Sequence, residues 1–232
     1  VKLTPQTLAV LKNFAQINAS IWINQGTTLK TIATPSKNIF AVATVKDEFP
    51  NEFGIYDLNN FLSVLSLHKD SPELDFDDKH VVVKGLGGRS KISYRYTAKE
   101  MITTPPEKKL VLPSVDVTLM LEEDDYIWVT NAAKTLQSPN ISVRSDGSTH
   151  VSLVTFDAKN DSAHSEALEV SGASGTNGNK FDMVFATDNW TKIIPGTYEL
   201  KISSKGIAHF KHQKDELEYF IALEKNPTKT GE

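Results

Sequence analysis

The sequence contains no cysteine. That removes disulfides, zinc–thiolate centres and cysteine nucleophiles from consideration, and it suits a reducing compartment without requiring one. No apolar run approaches the ~20 residues needed to span a bilayer. The opening residues Val1-Lys2-Leu3-Thr4-Pro5 lack the apolar stretch of a secretory leader, so a soluble, cytoplasmic protein with no membrane partner is expected. Phosphate-binding signatures are missing too. Gly85-Leu86-Gly87-Gly88 matches neither a dinucleotide fingerprint nor a P-loop, and a hairpin turn accounts for it. No Gly-x-Ser-x-Gly elbow occurs. Asp75, Asp77 and Asp78 have the wrong order, and lack the loop glycine, for an EF-hand. His209 and His212 fall on opposite faces of a strand, a poor metal pair, and are expected to be solvated. No catalytic residue, metal or cofactor is assigned, and no enzyme chemistry is expected.

A basic excess is also absent. The 25 basic and 29 acidic side chains leave a net charge of −4. This excludes a protein that grips DNA by bulk charge but permits a local basic face.

What is present is patterning. Over 232 residues there is material for one large domain or two smaller ones. Leu3, Val10, Leu11, Phe14 and Ile17 share one helical arc, with Pro5, Lys12 and Gln16 opposite. Thr4 before Pro5 is a cap followed by an N1 proline. Strands are expected at Ile21 to Ile23, Leu29 to Ala33 and Ile39 to Val45, then a helix from Leu58 to Leu67 closed by Asp70-Ser71-Pro72. Glu73 to Phe76, Val81 to Val83 and Ser90 to Tyr96 read as three more strands.

The pattern stops between about 99 and 113, where Pro105-Pro106 favours extended backbone, and this stretch reads as a connector. The order of elements then restarts. A helix beginning near Glu122-Glu123-Asp124-Asp125 runs to Leu136, with Val129, Ala132, Ala133 and Leu136 inward and Asn131 and Lys134 outward. Strands at Ile141 to Val143, Val151 to Phe156, Ala167 to Val170 and Phe181 to Phe185 follow, with a Gly/Ser/Asn-rich loop from Ser171 to Asn179. A short helix near Asp188 to Ile194 and strands at Tyr198 to Ile202, Gly206 to Lys211 and Tyr219 to Leu223 complete the chain. The expected fold class is α+β, a duplicated module of mostly antiparallel sheet with two helices per copy, divided as 1–108 and 109–232.

Three blocks make the chain resemble a known family. They are Leu11-Lys12-Asn13-Phe14-Ala15-Gln16-Ile17-Asn18, Ile55-Tyr56-Asp57-Leu58-Asn59-Asn60-Phe61-Leu62 with Leu65-Ser66-Leu67, and Pro195-Gly196-Thr197-Tyr198 followed by Tyr219 to Glu224. In this order and spacing they are similar to the sliding clamps of T-even phages and their relatives. The resemblance implies a DNA clamp fold and a homotrimeric ring whose helices line a hole for duplex DNA. It further implies tethering of the replicative DNA polymerase, placement on DNA by a separate ATP-driven clamp loader and, in some phages, support of late transcription factors. The residues alone also fit a β-rich structural or adaptor protein with no DNA role.

The resemblance carries site residues with it. Lys12 and Lys134 would face DNA from the outer faces of their helices, with Lys2, Lys69 and Lys192 at or beside helix ends. Asn131 stands where relatives commonly carry a basic residue. Phe40, Leu110, Leu112, Ile221 and Leu223 would line a pocket for the apolar terminal peptide of a partner. Subunits would join by strand addition, with Lys91, Ser93, Tyr94 and Tyr96 of one meeting Glu166, Leu168 and Val170 of the next.

Overall fold

Helix α1 (Pro5–Ile17) starts where Thr4 accepts a hydrogen bond from the Thr7 amide at 3.3 Å and donates through its own amide and hydroxyl to Asp47 at 2.7 and 2.9 Å. Its buried stripe is Thr7, Val10, Leu11, Asn13, Phe14 and Ile17, and Pro5, Lys12 and Gln16 are exposed on the other side. Asn18 ends it, donating to the Ile32 carbonyl at 3.0 Å. The computed structural model describes residues 1–68, 72–148, 150–160, 163–170 and 179–225. Asp70 and Ser71, read as closing the second helix, and 171–178 of the Gly/Ser/Asn-rich loop lie outside those residues. The chain divides into two compact units, Val1–Lys108 and Lys109–Glu232.

In the first unit β1 (Ile21–Ile23) pairs antiparallel with β4 (Phe53–Ile55), and β2 (Gly26–Ile32) with β3 (Ile39–Phe49). The sequence pattern missed β4 and ended β3 too early, although the burial of β3 alternates as far as Phe49. Helix α2 (Leu58–Ser66) is capped by Asp57, which accepts from the Asn60 amide at 2.9 Å, and buries Leu58, Phe61 and Leu65. Strands β5 (Glu73–Phe76), β6 (His80–Gly85) and β7 (Ser90–Arg95) form an antiparallel sheet in that order. Between β6 and β7, Leu86, Gly87 and Gly88 all take positive φ, the conformation for which glycine is suited.

The second unit opens with β8 (Val117–Leu121), which the sequence pattern did not mark, and α3 (Glu123–Thr135). Strands β9 (Asn140–Asp146), β10 (Val151–Phe156), β11 (Glu166–Val170) and β12 (Lys180–Ala186) form an antiparallel sheet in the order β11-β10-β9-β12. After the single turn of α4 (Thr187–Trp190), strands β13 (Tyr198–Ser203), β14 (Ile207–His212) and β15 (Leu217–Ala222) run antiparallel in the order β15-β14-β13-β8.

The core of this unit corrects two expectations about α3 and α4. The residues of α3 that are fully buried are Tyr126, Val129, Thr130 and Ala133, whereas Ala132 and Leu136 are half-buried. The stripe is rotated because Tyr126 stacks on the buried Trp190 at 5.9 Å, and the Trp190 indole donates to Thr130 at 3.2 Å. Helix α4 stops at Trp190 because tyrosine hydroxyls take up backbone groups of the following turn. Tyr126 donates to the carbonyls of Trp190 and Ile193, Tyr198 donates to that of Ile194, and the Ile194 amide donates to Tyr219.

The two histidines are not solvated as expected, although they do lie on opposite faces of β14. His212 packs edge-on to Tyr198 at 5.0 Å, and its Nδ1 accepts from the amides of Asp215 and Lys214 at 2.9 and 3.2 Å. His209 stacks on Phe220 at 4.3 Å and contacts Glu218 at 2.8 Å. Burial lowers the pKa of both rings.

Candidate functional site

Each unit contributes one helix of 13 residues with a buried stripe and a solvent face, α1 and α3. On α1 the exposed charge is Lys12. On α3, Glu123 and Asp124 are exposed in the first turn and Asn131 and Lys134 toward the last, signs that suit the helix dipole at each end. Asp125 is half-buried, and burial followed by the neighbouring charges of Glu122 and Asp124 raises its pKa. Lys2 is exposed and bridges to Glu73 through the backbone. Lys192 is half-buried in the turn after α4, and Lys69 lies outside the described residues.

Between the two solvent faces lies a difference that the pattern did not reveal. Ile127 and Trp128 of α3 are each 39% exposed. They line a groove of about 520 Å³ with Asp124, Asn131, Thr135 and Glu166. The period-3.6 pattern could have flagged them as apolar residues outside the buried stripe.

A second cleft, of about 430 Å³, gathers Leu110 and Leu112 with Val111, Val115, His209 and Phe220. Residues 109–115 have no helix or strand, and Val111 is 75% exposed. Three further residues, Phe40, Ile221 and Leu223, are expected to join Leu110 and Leu112. Phe40 in β3 and Ile221 in β15 are buried, and Leu223 lines a separate cleft with residues of β12. The His209–Phe220 stack on the floor of the Leu110 cleft was not anticipated. It follows from Phe220 and His209 being register partners on β15 and β14.

Strands β7 and β11 are both sheet edges, each with one neighbour among the described residues. On β7, Lys91, Ser93 and Arg95 are exposed, while Tyr94 packs against Phe61 and donates to the Asp57 carbonyl at 2.9 Å. Tyr96, just beyond, packs on Phe53, and burial pushes its phenol up to about 12. On β11, Glu166 is exposed, Leu168 half-buried and Val170 buried. Two of the three aspartates grouped after β5 begins, Asp75 and Asp77, are engaged locally. Asp75 pairs with Lys84, which lowers its pKa, and Asp77 accepts from the amides of Lys79 and His80. Among the described residues no three His, Cys, Asp or Glu side chains are grouped to hold a metal, and no helix is long and apolar enough to cross a membrane.

This architecture is that of proliferating cell nuclear antigen. The Entamoeba histolytica protein superposes with a TM-score of 0.68 at 14% identity, over 94% of this chain and 95% of that one. The A. fulgidus protein, solved with the C-terminal region of FEN-1 bound, superposes with a TM-score of 0.69 at 13% identity, over 94% of each chain. The class is therefore an α+β DNA-clamp fold.

Sequence narrows the class to a family. Residues 3–103 match the DNA polymerase processivity factor family and residues 118–225 the gp45 sliding clamp C-terminal family. The sliding clamp of Vibrio phage KVP40 is 38% identical over 227 residues, covering 97% of this chain and 99% of the relative. That of Escherichia phage RB69 is 29% identical over 234 residues, covering 98% and 99%. The chain belongs to the phage sliding-clamp family, whose members are processivity factors for DNA polymerase.

Proposed function

We propose that three copies of this chain close head to tail into a ring around duplex DNA and tether the replicative polymerase. The observation that carries the reading is the pair of helices α1 and α3. Each unit presents one, and each turns a lysine, Lys12 or Lys134, away from its buried stripe. A ring is held on DNA by topology, so its inner contacts need only be loose and independent of sequence. That is how a chain of net charge −4 can stay on a polyanion. The free edges β7 and β11 are the surfaces at which subunits would add strand to strand.

The cleft around Leu110 and Leu112 is the seat for an apolar partner peptide. The FEN-1 C-terminal region bound to A. fulgidus PCNA supports this by analogy. The polymerase and, in late transcription, a transcription partner would use it in turn. No phosphate-cradling motif is present in the chain, so opening and placing the ring falls to a separate ATP-driven loader in the host cytoplasm, and the clamp itself is not an enzyme.

Native mass spectrometry should find a species of about 77 kDa from three 25.7 kDa chains. Loaded rings should then persist on closed circular DNA and slide off a linear molecule of the same sequence. Lys12→Ala combined with Lys134→Ala should weaken loading and leave the trimer intact. Equal release from circular and linear DNA after loading would refute the clamp mechanism and favour an adaptor without topological linkage.

A further inference from the structure

We infer that Ser114 and Asp116 form a register lock at the end of the connector, two positioning residues that decide which face of it lines the Leu110 cleft. The inference rests on the partner-peptide reading of that cleft and names what holds its irregular wall. Residues 109–115 belong to no helix or strand, yet their exposure alternates. Leu110, Leu112 and Ser114 are half-buried, whereas Lys109, Val111, Pro113 and Val115 are exposed. An extended chain turns successive side chains to opposite sides, so the two leucines share a face with Ser114. A slip of one residue would exchange them for Lys109, Val111 and Pro113. No strand ladder holds this segment, so its parity must be fixed by other bonds.

The hydrogen bonds of Ser114 and Asp116 supply that hold. The Asp116 amide donates to the Ile202 carbonyl at 2.9 Å, one residue before β8 begins to pair with β13. Its carboxylate Oδ2 accepts from the Ser204 amide at 2.7 Å and from the Ser114 hydroxyl at 2.9 Å. These donors, the Ser204 amide foremost, hold the carboxyl below its ordinary pKa. Ser114 Oγ lies 2.6 Å from Ser203 Oγ, and because the Ser114 proton goes to Asp116, Ser203 is the donor between them. Ser203 is fully buried and accepts from the Lys205 amide at 3.2 Å. Ser114 is thereby tied to the end of β13, the strand whose Glu199 and Lys201 also border the cleft. It can meet Ser203 only with its side chain inward, and that turns Leu110 and Leu112 inward with it. A partner then meets a wall already set, and docking is spared the entropy of ordering it.

The chain has no cysteine, so single introduced thiols report the parity directly. In the full chain, Val111→Cys should react with a water-soluble maleimide several-fold faster than Leu112→Cys, because reactivity follows exposure. Adding Asp116→Ala should bring the two rates together. Asp116→Asn keeps an acceptor oxygen and should preserve the contrast. Ser114→Ala removes only the hydroxyl and should act like Asp116→Ala, so the outcome does not hang on one variant folding. In the cysteine-free chain, Asp116→Ala should weaken binding of a fluorescein-labelled peptide ending in leucine and phenylalanine by about tenfold, with Asp116→Asn near wild type. Equal labelling rates at the two positions before either alanine change, a contrast that survives either alanine variant, or one lost as fully in Asp116→Asn would overturn the lock. A wild-type chain that does not bind the peptide would refute the partner reading instead, and the labelling rates would still decide the lock.

Discussion

Replacing Tyr126 by phenylalanine removes one oxygen atom from the core of the second unit and tests what holds α3 in place. The ring is 2% exposed, and its hydroxyl lies 2.7 Å from the Ile193 carbonyl and 3.0 Å from that of Trp190. Phenylalanine keeps the stack on Trp190, so the change isolates the hydroxyl. The Trp190 carbonyl retains the Ile193 amide at 3.1 Å, whereas the Ile193 carbonyl loses the donor at 2.7 Å. Stranding a buried carbonyl costs about 1–3 kcal/mol. With a urea slope of about 2 kcal/mol per molar, a loss of about 2 kcal/mol lowers the midpoint by about 1 M. Thr130→Val should cost a similar amount by taking the acceptor from the Trp190 indole. The two losses should not simply add, because both act through Trp190. Urea unfolding followed by tryptophan fluorescence measures all three variants. A Tyr126→Phe midpoint within about 0.2 M of wild type, well below what the stranded carbonyl would cost, would refute the claim that this hydroxyl pins α3 to the turn after α4.

The remaining predictions concern the same core. A β-carbon at Gly196 would fall inside contact distance of the His212 ring, which two amides hold at Nδ1. Gly196→Ala should therefore cost about 1–3 kcal/mol and lower the calorimetric midpoint by several degrees, and an unchanged midpoint would show that the ring moves freely. Stability should also fall at both ends of the pH scale. Burial raises the pKa of Tyr126, Tyr198 and Tyr219 above the ordinary 10.0, so their contribution is complete below pH 10 and is lost as pH rises above it. Burial lowers the pKa of His209 and His212 below the ordinary 6.5, so their contribution is complete above pH 6.5 and is lost as pH falls through the lowered values. Urea midpoints measured across pH check both, and a flat profile beyond pH 10 would contradict the buried tyrosines.

Much of this molecule is decided locally. The buried stripe of α1, its Thr4-Pro5 start and the Asp57 end of α2 follow from helix period and capping chemistry, which a short window of sequence contains. The blocks around Leu11, Ile55 and Tyr198 likewise sufficed to point to the clamp family. Strand β8 was not legible because its five residues become a strand by pairing with β13, far along the chain. The inward face of α3 was misjudged for a related reason. Ala132 and Leu136 compete with Tyr126 and Thr130 for the core, and Trp190, more than fifty residues away, decides between them. The same distance hid the His209–Phe220 stack and the cleft it floors. Helix period and turn chemistry are properties of neighbours in sequence. Which face is buried, which strand is an edge and which tryptophan stays in water are properties of neighbours in space, and only the tertiary structure decides them.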